Sequence, residues 1–355
     1  MKSIIVLGTR PEIIKLAPII QKLPKSNPIV FSGQHYDYNM GLQFFQQLGI
    51  RKPDHFLRIS HSPPSQQISE IVLKLSKIIS NEKPDTVLVQ GDTNTVLAAG
   101  ICSLKQSIPV SHIESGLRSF DWRMSEEHNR VVVDHLSEFL FAPTNISKLN
   151  LIAEKVHGQI HVTGNTVIDS INRYSKISRK KSTLSLDDEN FALLTLHRAE
   201  NVDSRKVLTS IIKSILDSKY HFIFPIHPRT FKQLKKFNLL SKIKNSKNIK
   251  IFNVVGYFEM LELMKKSDFI VTDSGGIQEE STASSIKKKT IVVRKTTDRP
   301  EAISSGYSEL VGTSYTKILH SINKTAKNPK ISIKKSPYGD GNASKKIIDY
   351  LRKNL

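Results

Sequence analysis

The stretch Thr272–Glu280 carries the sharpest chemical signal in the sequence. It follows a short apolar, β-branched run and reads Thr-Asp-Ser-Gly-Gly-Ile-Gln-Glu-Glu. Glycines allow a tight turn without a Cβ between main chain and ligand, and the first N–H groups of a helix attract anions. We therefore predict a diphosphate site at Ser274, Gly275 and Gly276. Glu280, one turn further on, is placed to accept hydrogen bonds from a ribose. Taken alone, the motif leaves a second interpretation open, a capped turn that binds nothing.

Other chemically capable side chains follow predicted strands in the same way. In chain order these are Arg10 (within Gly8-Thr9-Arg10-Pro11-Glu12), Lys15, Asp92, Glu114, His197, Arg198, His227 and Arg299. A capping, turn-forming or core role would explain any one of them. Ligands of open parallel sheets bind beyond the carboxyl ends of the strands, so the shared position predicts one ligand-binding region.

The elements that must position these residues alternate between strands and helices. Apolar runs predict strands at Ser3–Leu7, Ile29–Ser32, Thr86–Gln90, Val110–Ile113, Phe139–Ala142, Ile160–Thr163, Phe191–Leu196, Phe222–Ile226, Ile249–Val254, Phe269–Thr272 and Thr290–Val293. Segments with helical spacing separate them, with Pro11 at a first helical position and Ser65 as an N-cap. This alternation indicates an α/β protein with parallel sheets.

The alternation of predicted strands and helices is interrupted once, by the polar and charged segment 179–190. We predict an N-terminal Rossmann-like domain over residues 1–178, a linker over 179–190 and a C-terminal Rossmann-like domain over 191–341. A last helix covers 342–355. Two such domains facing each other across a cleft are the simplest architecture for this pattern.

Composition describes a globular protein of the cytoplasm. The chain has 355 residues, of which 38% are hydrophobic and 24% are charged. No apolar run approaches the roughly 20 residues that span a bilayer, and the N-terminus reads as a first strand rather than a signal peptide. Cys102 is the only cysteine, which excludes an internal disulfide and a multi-cysteine metal site.

The net charge of +21 is concentrated in the second half of the chain. Residues 1–170 hold 17 basic and 15 acidic residues, whereas 171–355 hold 36 and 17. Such an excess raises the possibility of a binder of nucleic acid or of an anionic surface. The lysines are scattered, however, and no aromatic residues interleave with them as a stacking platform requires. We interpret them as a solvated surface and expect neither a nucleic-acid nor a membrane partner.

The motifs resemble, in order and over nearly the whole chain, those of the non-hydrolysing UDP-N-acetylglucosamine 2-epimerases, in particular the archaeal type. They are Gly8–Glu12, Gln34-His35, Gln90–Thr93, His112–Arg118, Glu126–Arg130, Thr163–Thr166, His197-Arg198, Thr272–Glu280, Arg299–Glu301 and Pro337–Gly341. The resemblance implies a GT-B fold in which the last helix crosses back onto the first domain.

The resemblance also implies an activity and residue roles. UDP-N-acetylglucosamine would lose UDP to give a 2-acetamidoglucal and regain it with C2 inverted, giving UDP-N-acetylmannosamine. Asp92, Glu114 and Glu126 would be the acid/base carboxylates, and His197 would stabilise the departing UDP. Arg10, Lys15 and Arg299 would be cationic partners of phosphate or sugar.

Further expectations follow from the same family. No metal and no cofactor are implied, and the first turn lacks a nicotinamide-binding fingerprint. Gln34, His35 and Arg198 resemble residues that bind a second, activating UDP-N-acetylglucosamine, and a homodimer is implied. Two alternatives stay open: an epimerase of a modified sugar such as a 2,3-diacetamido uronate, and a hydrolysing relative that releases N-acetylmannosamine.

Overall fold

A computed structural model describes residues 1–34, 38–60, 62–184, 190–333 and 335–355. The chain divides into two compact units. Unit 1 contains residues 1–170 and 338–355, and unit 2 contains residues 171–337. Each unit is an α/β domain built on one parallel sheet, as the alternation of apolar runs and helical segments predicts.

The sheet of unit 1 has seven strands in the described residues, and every neighbouring pair is parallel. From edge to edge the order is β3 (His55–Phe56), β2 (Ile29–Phe31), β1 (Ser3–Leu7), β4 (Thr86–Gln90), β5 (Val110–Ile113), β6 (Phe139–Ala142) and β7 (Gln159–Val162). The central strands are buried along their whole length. This is why they read in the sequence as continuous apolar runs rather than as alternating ones.

The sheet of unit 2 has six strands in the described residues, again all parallel. The order is β10 (Ile249–Phe252), β9 (Phe222–Pro225), β8 (Ala192–Thr195), β11 (Ile270–Thr272), β12 (Thr290–Val292) and β13 (Ser308–Leu310). Apolar side chains of this sheet and of its flanking helices form one continuous core.

Helices connect the strands. They are α1 (Arg10–Lys22), α2 (Tyr38–Leu48), α3 (Pro64–Glu82), α4 (Asn94–Leu104), α5 (Ser125–Leu136), α6 (Asn145–Ala153), α7 (Thr166–Tyr174), α8 (Ser178–Lys181), α9 (Ala199–Val202), α10 (Arg205–Asp217), α11 (Pro228–Lys236), α12 (Leu240–Lys244), α13 (Tyr257–Lys266), α14 (Gly275–Glu280), α15 (Pro300–Ser304), α16 (Tyr315–Lys327) and α17 (Ala343–Asn354). No helix in the described ranges is both long enough and apolar enough to span a bilayer.

Several local expectations differ from the structure. Strands β3 and β13 were not predicted, because they have only two and three residues and contain no continuous buried apolar run. The expected N-cap at Ser65 is wrong, since α3 begins one residue earlier and Pro63 occupies the cap. The segment predicted as a linker begins inside α8, and its residues 185–189 lie outside the described ranges.

The boundaries of the two units follow from local packing. Ser170 donates a hydrogen bond to the Ile14 carbonyl of unit 1, whereas Tyr174 packs against Tyr257 and Phe258 of unit 2. The boundary between the two units therefore lies within α7, before the boundary predicted at residue 178. Helix α17 belongs to unit 1, where Tyr350 contacts Phe139, Phe141 and His161.

Candidate active site

The site residues gather where strand order reverses in each sheet. In unit 1 this point lies between β1 and β4, and in unit 2 between β8 and β11. Loops after neighbouring strands diverge there and leave room for a ligand. Arg10 and Asp92 follow β1 and β4, while His197 and Ser274 follow β8 and β11. The prediction that these side chains share the carboxyl edge of their sheets is confirmed for each unit.

Gly8 leads from β1 into α1 and has no room for a side chain. A Cβ there would lie 2.3 Å from Ser32 Oγ and 2.3 Å from Thr95 Oγ1. Glu12 closes the turn, because its Oε2 accepts hydrogen bonds from the Gly8 and Thr9 amides at 2.6 and 2.8 Å. Its Oε1 accepts one from Thr93 Oγ1 at 2.6 Å, which ties this turn to the loop after β4. Burial raises the pKa of Glu12 to about 7.

Asp92 follows Gly91, whose φ of 84° suits glycine. Its Oδ2 accepts a hydrogen bond from Arg130 Nη2 at 2.5 Å, and its side chain is 28% exposed. No described residue donates to its other oxygen, Oδ1. Glu126, in the first turn of α5, is similarly available, since Ser125 Oγ is the one donor to its carboxylate among the described residues, at 3.1 Å from Oε2. Each of the two carboxylates therefore presents an oxygen that could accept a proton.

Glu114 differs from these two carboxylates because it is buried and already paired. Lys15 Nζ lies 2.6 Å from both of its oxygens, and Gln90 Nε2 donates to Oε2. Its φ of 71° is a left-handed conformation that is unfavourable for a residue with a Cβ. Strain of this kind persists where surrounding structure holds it and is frequent at functional sites. Lys15, expected as a partner of phosphate or sugar, is thus paired with a carboxylate.

His112 was quoted in the sequence motif but assigned no role, and the structure gives it one. Its Nε2 lies 2.8 Å from the Gly91 carbonyl, and its Nδ1 lies 2.7 Å from Asp134 Oδ1. Asp134 also accepts a hydrogen bond from the Gly116 amide at 3.0 Å. This buried network links the loop of Asp92 to the loop of Glu114.

Arg10 and Gln34 make contacts within unit 1. The Arg10 guanidinium carbon lies 4.7 Å from the centre of the Phe44 ring, a cation–π geometry. Gln34 Oε1 accepts hydrogen bonds from the amide and hydroxyl of Thr95 at 3.2 and 2.8 Å, near the start of α4. The other residue of that predicted pair, His35, lies outside the described ranges.

In unit 2, Asp273 organises the loop that carries His197. Its fully buried carboxylate accepts hydrogen bonds from the His197 and Arg198 amides, at 3.0 Å each. Asn201 Nδ2 adds a third at 3.2 Å. The His197 Nδ1 atom lies 3.3 Å from Asp273 Oδ1, and its side chain is 38% exposed. Burial lowers the pKa of His197, against the opposing effect of Asp273. Asp273 was quoted in the sequence motif but assigned no role.

The Ser-Gly-Gly turn has the predicted local form. Ser274 is the N-cap of α14, and its Oγ accepts a hydrogen bond from the Ile277 amide at 3.5 Å. A Cβ on Gly275 would lie 3.9 Å from Arg198 Nη2 and 3.9 Å from Arg299 Cζ, so two guanidinium groups approach this turn. Gly276 and the partly exposed Glu280 lie in the same short helix.

The guanidinium of Arg299, expected to bind phosphate or sugar, is held by two carboxylates of the same unit. Its Nε lies 2.5 Å from Glu279 Oε1, and its Nη1 lies 2.7 Å from Asp298 Oδ2. Arg294, which the sequence reasoning missed, is a third arginine here, with Nη1 at 3.4 Å from Asp298 Oδ1. Burial lowers the pKa of Arg294, against the opposing effect of Asp298. Its position two residues after the end of β12 was the available signal.

Together, unit 1 offers carboxylates suited to proton transfer, and unit 2 offers cations and amides suited to a diphosphate. Among the residues that the structure describes, no group of three or more His, Cys, Asp or Glu side chains could hold a metal ion.

Comparisons with known proteins agree with this chemistry. A family model described as UDP-N-acetylglucosamine 2-epimerase matches residues 20–352. The chain is 44% identical to the UDP-N-acetylglucosamine 2-epimerase of Methanocaldococcus jannaschii, over 99% of both chains. It is 36% identical to the UDP-2,3-diacetamido-2,3-dideoxy-D-glucuronate 2-epimerase of Pseudomonas aeruginosa, over 99% of this chain and 100% of the relative.

A solved structure gives the same result. The M. jannaschii UDP-GlcNAc 2-epimerase in complex with UDP-GlcNAc and UDP superimposes with a TM-score of 0.88 at 42% identity. The match covers 99% of this chain and 100% of that one. The predicted fold class, two parallel-sheet α/β domains of the GT-B type, is confirmed.

Proposed function

Because the chain belongs to the UDP-N-acetylglucosamine 2-epimerase family, we propose that it is an isomerase that interconverts UDP-N-acetylglucosamine and UDP-N-acetylmannosamine. One observation carries the proposal: the match to the M. jannaschii enzyme, whose solved complex contains UDP-GlcNAc and UDP, extends over 99% of this chain. The chemistry of the two units supports it.

The reaction proceeds by elimination and re-addition. A carboxylate removes the C2 proton, the C1–C2 double bond of 2-acetamidoglucal forms, and UDP leaves C1 with the bonding electron pair. In the second step a carboxylic acid protonates C2 on the opposite face while UDP returns to C1. Because the C2 proton is weakly acidic, both a positioned base and a stabilised leaving group are needed.

Unit 1 supplies the proton-transfer groups in this proposal. Asp92 and Glu126 each keep a carboxylate oxygen that accepts no hydrogen bond from the described residues, so they are the groups best able to exchange protons directly. Glu114, which is paired with Lys15, completes the set of three. Arg10 contacts the substrate from the same edge of the sheet.

Unit 2 supplies the nucleotide site. Ser274, Gly275 and Gly276 bind the diphosphate through amides, and Glu280 binds the ribose. His197 and Arg299 stabilise negative charge as UDP departs, with Arg198 beside the same turn. Preorganised donors of this kind are worth about 2.7–4 kcal/mol each in oxyanion sites. Asp273 supports the proposal because it fixes the backbone of His197.

Two further features belong to the proposal. A second UDP-N-acetylglucosamine activates the enzyme through Gln34, His35 and Arg198, and the active species is a homodimer. A sigmoidal dependence of the reaction rate on the concentration of UDP-N-acetylglucosamine, which is both substrate and activator, would support the first. Light scattering of the purified protein tests the second.

The decisive experiment is incubation with UDP-N-acetylglucosamine in D₂O, followed by proton NMR. Deuterium at C2 in a mixture of gluco and manno nucleotide sugars is the expected result. Free N-acetylmannosamine as the main product would instead identify a hydrolysing enzyme. Absence of exchange with any UDP-hexosamine would refute the proposal.

The relationship to the P. aeruginosa enzyme favours one competing substrate, a UDP-2,3-diacetamido uronate. The same experiment with both nucleotide sugars separates the two. A kcat/KM at least about tenfold higher for the uronate, a difference of about 1.4 kcal/mol, would reassign the substrate.

A further inference from the structure

Glu127 lies next to Glu126 in α5 but is in an entirely different environment. It is fully buried, and its oxygens accept hydrogen bonds from the Ser119 amide at 3.0 Å and the Phe120 amide at 2.9 Å. The Ser119 hydroxyl adds a further hydrogen bond at 2.8 Å. Glu127 therefore holds the loop that runs from the strand of Glu114 to the helix of Glu126.

The same carboxylate also holds Arg130, one turn further along α5. Arg130 Nη1 lies 3.0 Å from Glu127 Oε2, while its Nη2 lies 2.5 Å from Asp92 Oδ2. The arginine is 4% exposed. A planar guanidinium fixed at both ends imposes a direction on each partner. Oδ2 of Asp92 is thereby immobilised, and Oδ1 is the oxygen left for other chemistry.

Helix α5 also forms a hydrogen bond to the main chain of Asp92. Asn129 Nδ2 donates to the Asp92 carbonyl at 2.9 Å and to Asn94 Oδ1 at 3.3 Å. Residues three and four positions apart lie on one side of a helix, so Asn129 and Arg130 share a side with Glu126. One rigid helix thus carries Glu126 and fixes both the backbone and the carboxylate of Asp92.

We propose that Glu127 and Arg130 are positioning residues for the epimerase reaction. They orient Asp92 Oδ1 toward the substrate and set its position relative to Glu126. This inference rests on the proposed function, because Asp92 matters in this way only if it transfers a proton. A misplacement of about 1 Å in such a group can cost about 10²-fold in rate.

The sharpest test is Glu127→Gln. The amide oxygen of glutamine can still accept hydrogen bonds from the Ser119 and Phe120 amides, so the loop keeps its main-chain hydrogen bonds. Its NH₂ group, however, would face the guanidinium of Arg130, donor against donor. We expect kcat to fall roughly 10- to 10²-fold, with KM and UDP affinity within about twofold of wild type.

Asp169→Asn is the matched control. Asp169 is also a buried carboxylate of unit 1 with several donors, namely the amides of Ala343 and Ser344 at 3.1 and 2.9 Å and the Ser344 hydroxyl. It caps α17 and contacts none of the candidate acid/base groups. This variant should lose stability but keep the wild-type kcat per folded molecule.

A structural role would not reproduce the second readout, which is the dependence on Asp92. In an Asp92→Asn background, Glu127→Gln should lower kcat by no more than about twofold further, because its effect passes through Asp92. Should Glu127→Gln fail to fold, Arg130→Lys replaces it in the same cycle. One ammonium cannot bridge Glu127 and Asp92, so the same loss is expected.

The outcomes separate the two proposals. If the wild-type enzyme exchanges no deuterium into C2, the proposed function fails. If the wild type exchanges and Glu127→Gln behaves like Asp169→Asn, or its effect persists undiminished in the Asp92→Asn background, the positioning role is overturned while the function stands.

Discussion

Lys15 and Glu114 form a buried ion pair in which the ammonium nitrogen lies 2.6 Å from each carboxylate oxygen. The two residues are 99 positions apart, and Glu114 is only 6% exposed. Removing one partner of such a pair leaves a buried charge without compensation. The pair therefore links the stability of unit 1 to a group that we assign to catalysis.

The first prediction is that Lys15→Met destabilises the protein by about 3–5 kcal/mol, as breaking a buried ion pair typically does. Adding Glu114→Gln should recover most of that loss, because no charge is then buried alone, while turnover stays low. Chemical denaturation and the D₂O exchange assay measure the two effects. The partly exposed pair of Lys74 and Glu70 is the control, and Lys74→Met should cost no more than about 1 kcal/mol.

The second prediction concerns the pH dependence of UDP binding. Burial lowers the pKa of His197 in the free protein, and its Nδ1 faces Asp273, so Nε2 can donate to a phosphate only when the ring is protonated. Bound diphosphate favours the imidazolium and raises the pKa of His197. UDP affinity should therefore be highest below the lowered pKa and should fall as pH rises toward the pKa of the complex.

Calorimetry in two buffers of different ionisation enthalpy tests this linkage. Proton uptake on UDP binding is expected for the wild type and should disappear in His197→Asn. His221→Asn, at an exposed position of unit 2, should behave as wild type. Equal proton uptake in His197→Asn would place the titrating group elsewhere.

The third prediction concerns stability and Glu12. Burial raises the pKa of Glu12 from 4.5 to about 7. Between these values the native state retains a proton that the unfolded chain has lost, so this group makes the free energy of unfolding fall as pH rises. The limiting slope is about 1.4 kcal/mol per pH unit.

Glu12→Gln should remove that slope. Its amide oxygen can accept the Gly8 and Thr9 amides, and its NH₂ group can donate to the Thr93 hydroxyl, so the turn is preserved. Denaturation between pH 4.5 and pH 8 should show the variant gaining stability relative to wild type as pH increases. A parallel shift of the two curves would show that Glu12 does not titrate in this window. Glu82→Gln is a useful contrast, because hydrogen bonding to Lys2 lowers the pKa of Glu82.

Sequence reasoning located the strands because parallel sheets covered on both faces require continuous apolar runs, as in Thr86–Gln90. The same logic placed His197 and Ser274 at the carboxyl edge of their sheet. It could not find the edge strand β13, which has only three residues and places the exposed Glu309 between the buried Ser308 and the partly buried Leu310. Local patterns carry no information about such weak elements.

The networks behind the site could not be predicted either. Glu126 and Glu127 are adjacent and chemically identical in the sequence, yet one is half-exposed and the other fully buried. Which of the two side chains is buried depends on the direction that each takes from the helix and on the position of the neighbouring loop. The left-handed backbone conformation of Glu114 could not be predicted from the sequence either, because the neighbouring residues contain no turn signal specific to that position. The roles assigned to individual site residues stay predictions until they are measured.

The last prediction concerns Asp273. Its buried carboxylate is the common acceptor for the His197 and Arg198 amides and for Asn201 Nδ2. Asp273→Asn keeps one acceptor oxygen and turns the other into a donor, which opposes the donors already there. We expect a loss of about 1–3 kcal/mol of stability, the cost of leaving buried donors unsatisfied, and a UDP affinity lowered about tenfold or more.

Asp268→Asn is the matched control in the same unit, because Asp268 accepts a hydrogen bond from Tyr220 Oη at 2.7 Å and contacts none of the candidate nucleotide-binding residues. Its UDP affinity should equal that of the wild type, even if some stability is lost. If Asp273→Asn and Asp268→Asn bind UDP equally well, the loop of His197 does not depend on Asp273 for its function. A selective loss in Asp273→Asn, with unfolding curves of similar midpoint, would establish that this carboxylate acts by holding His197 and Arg198 in place for the diphosphate.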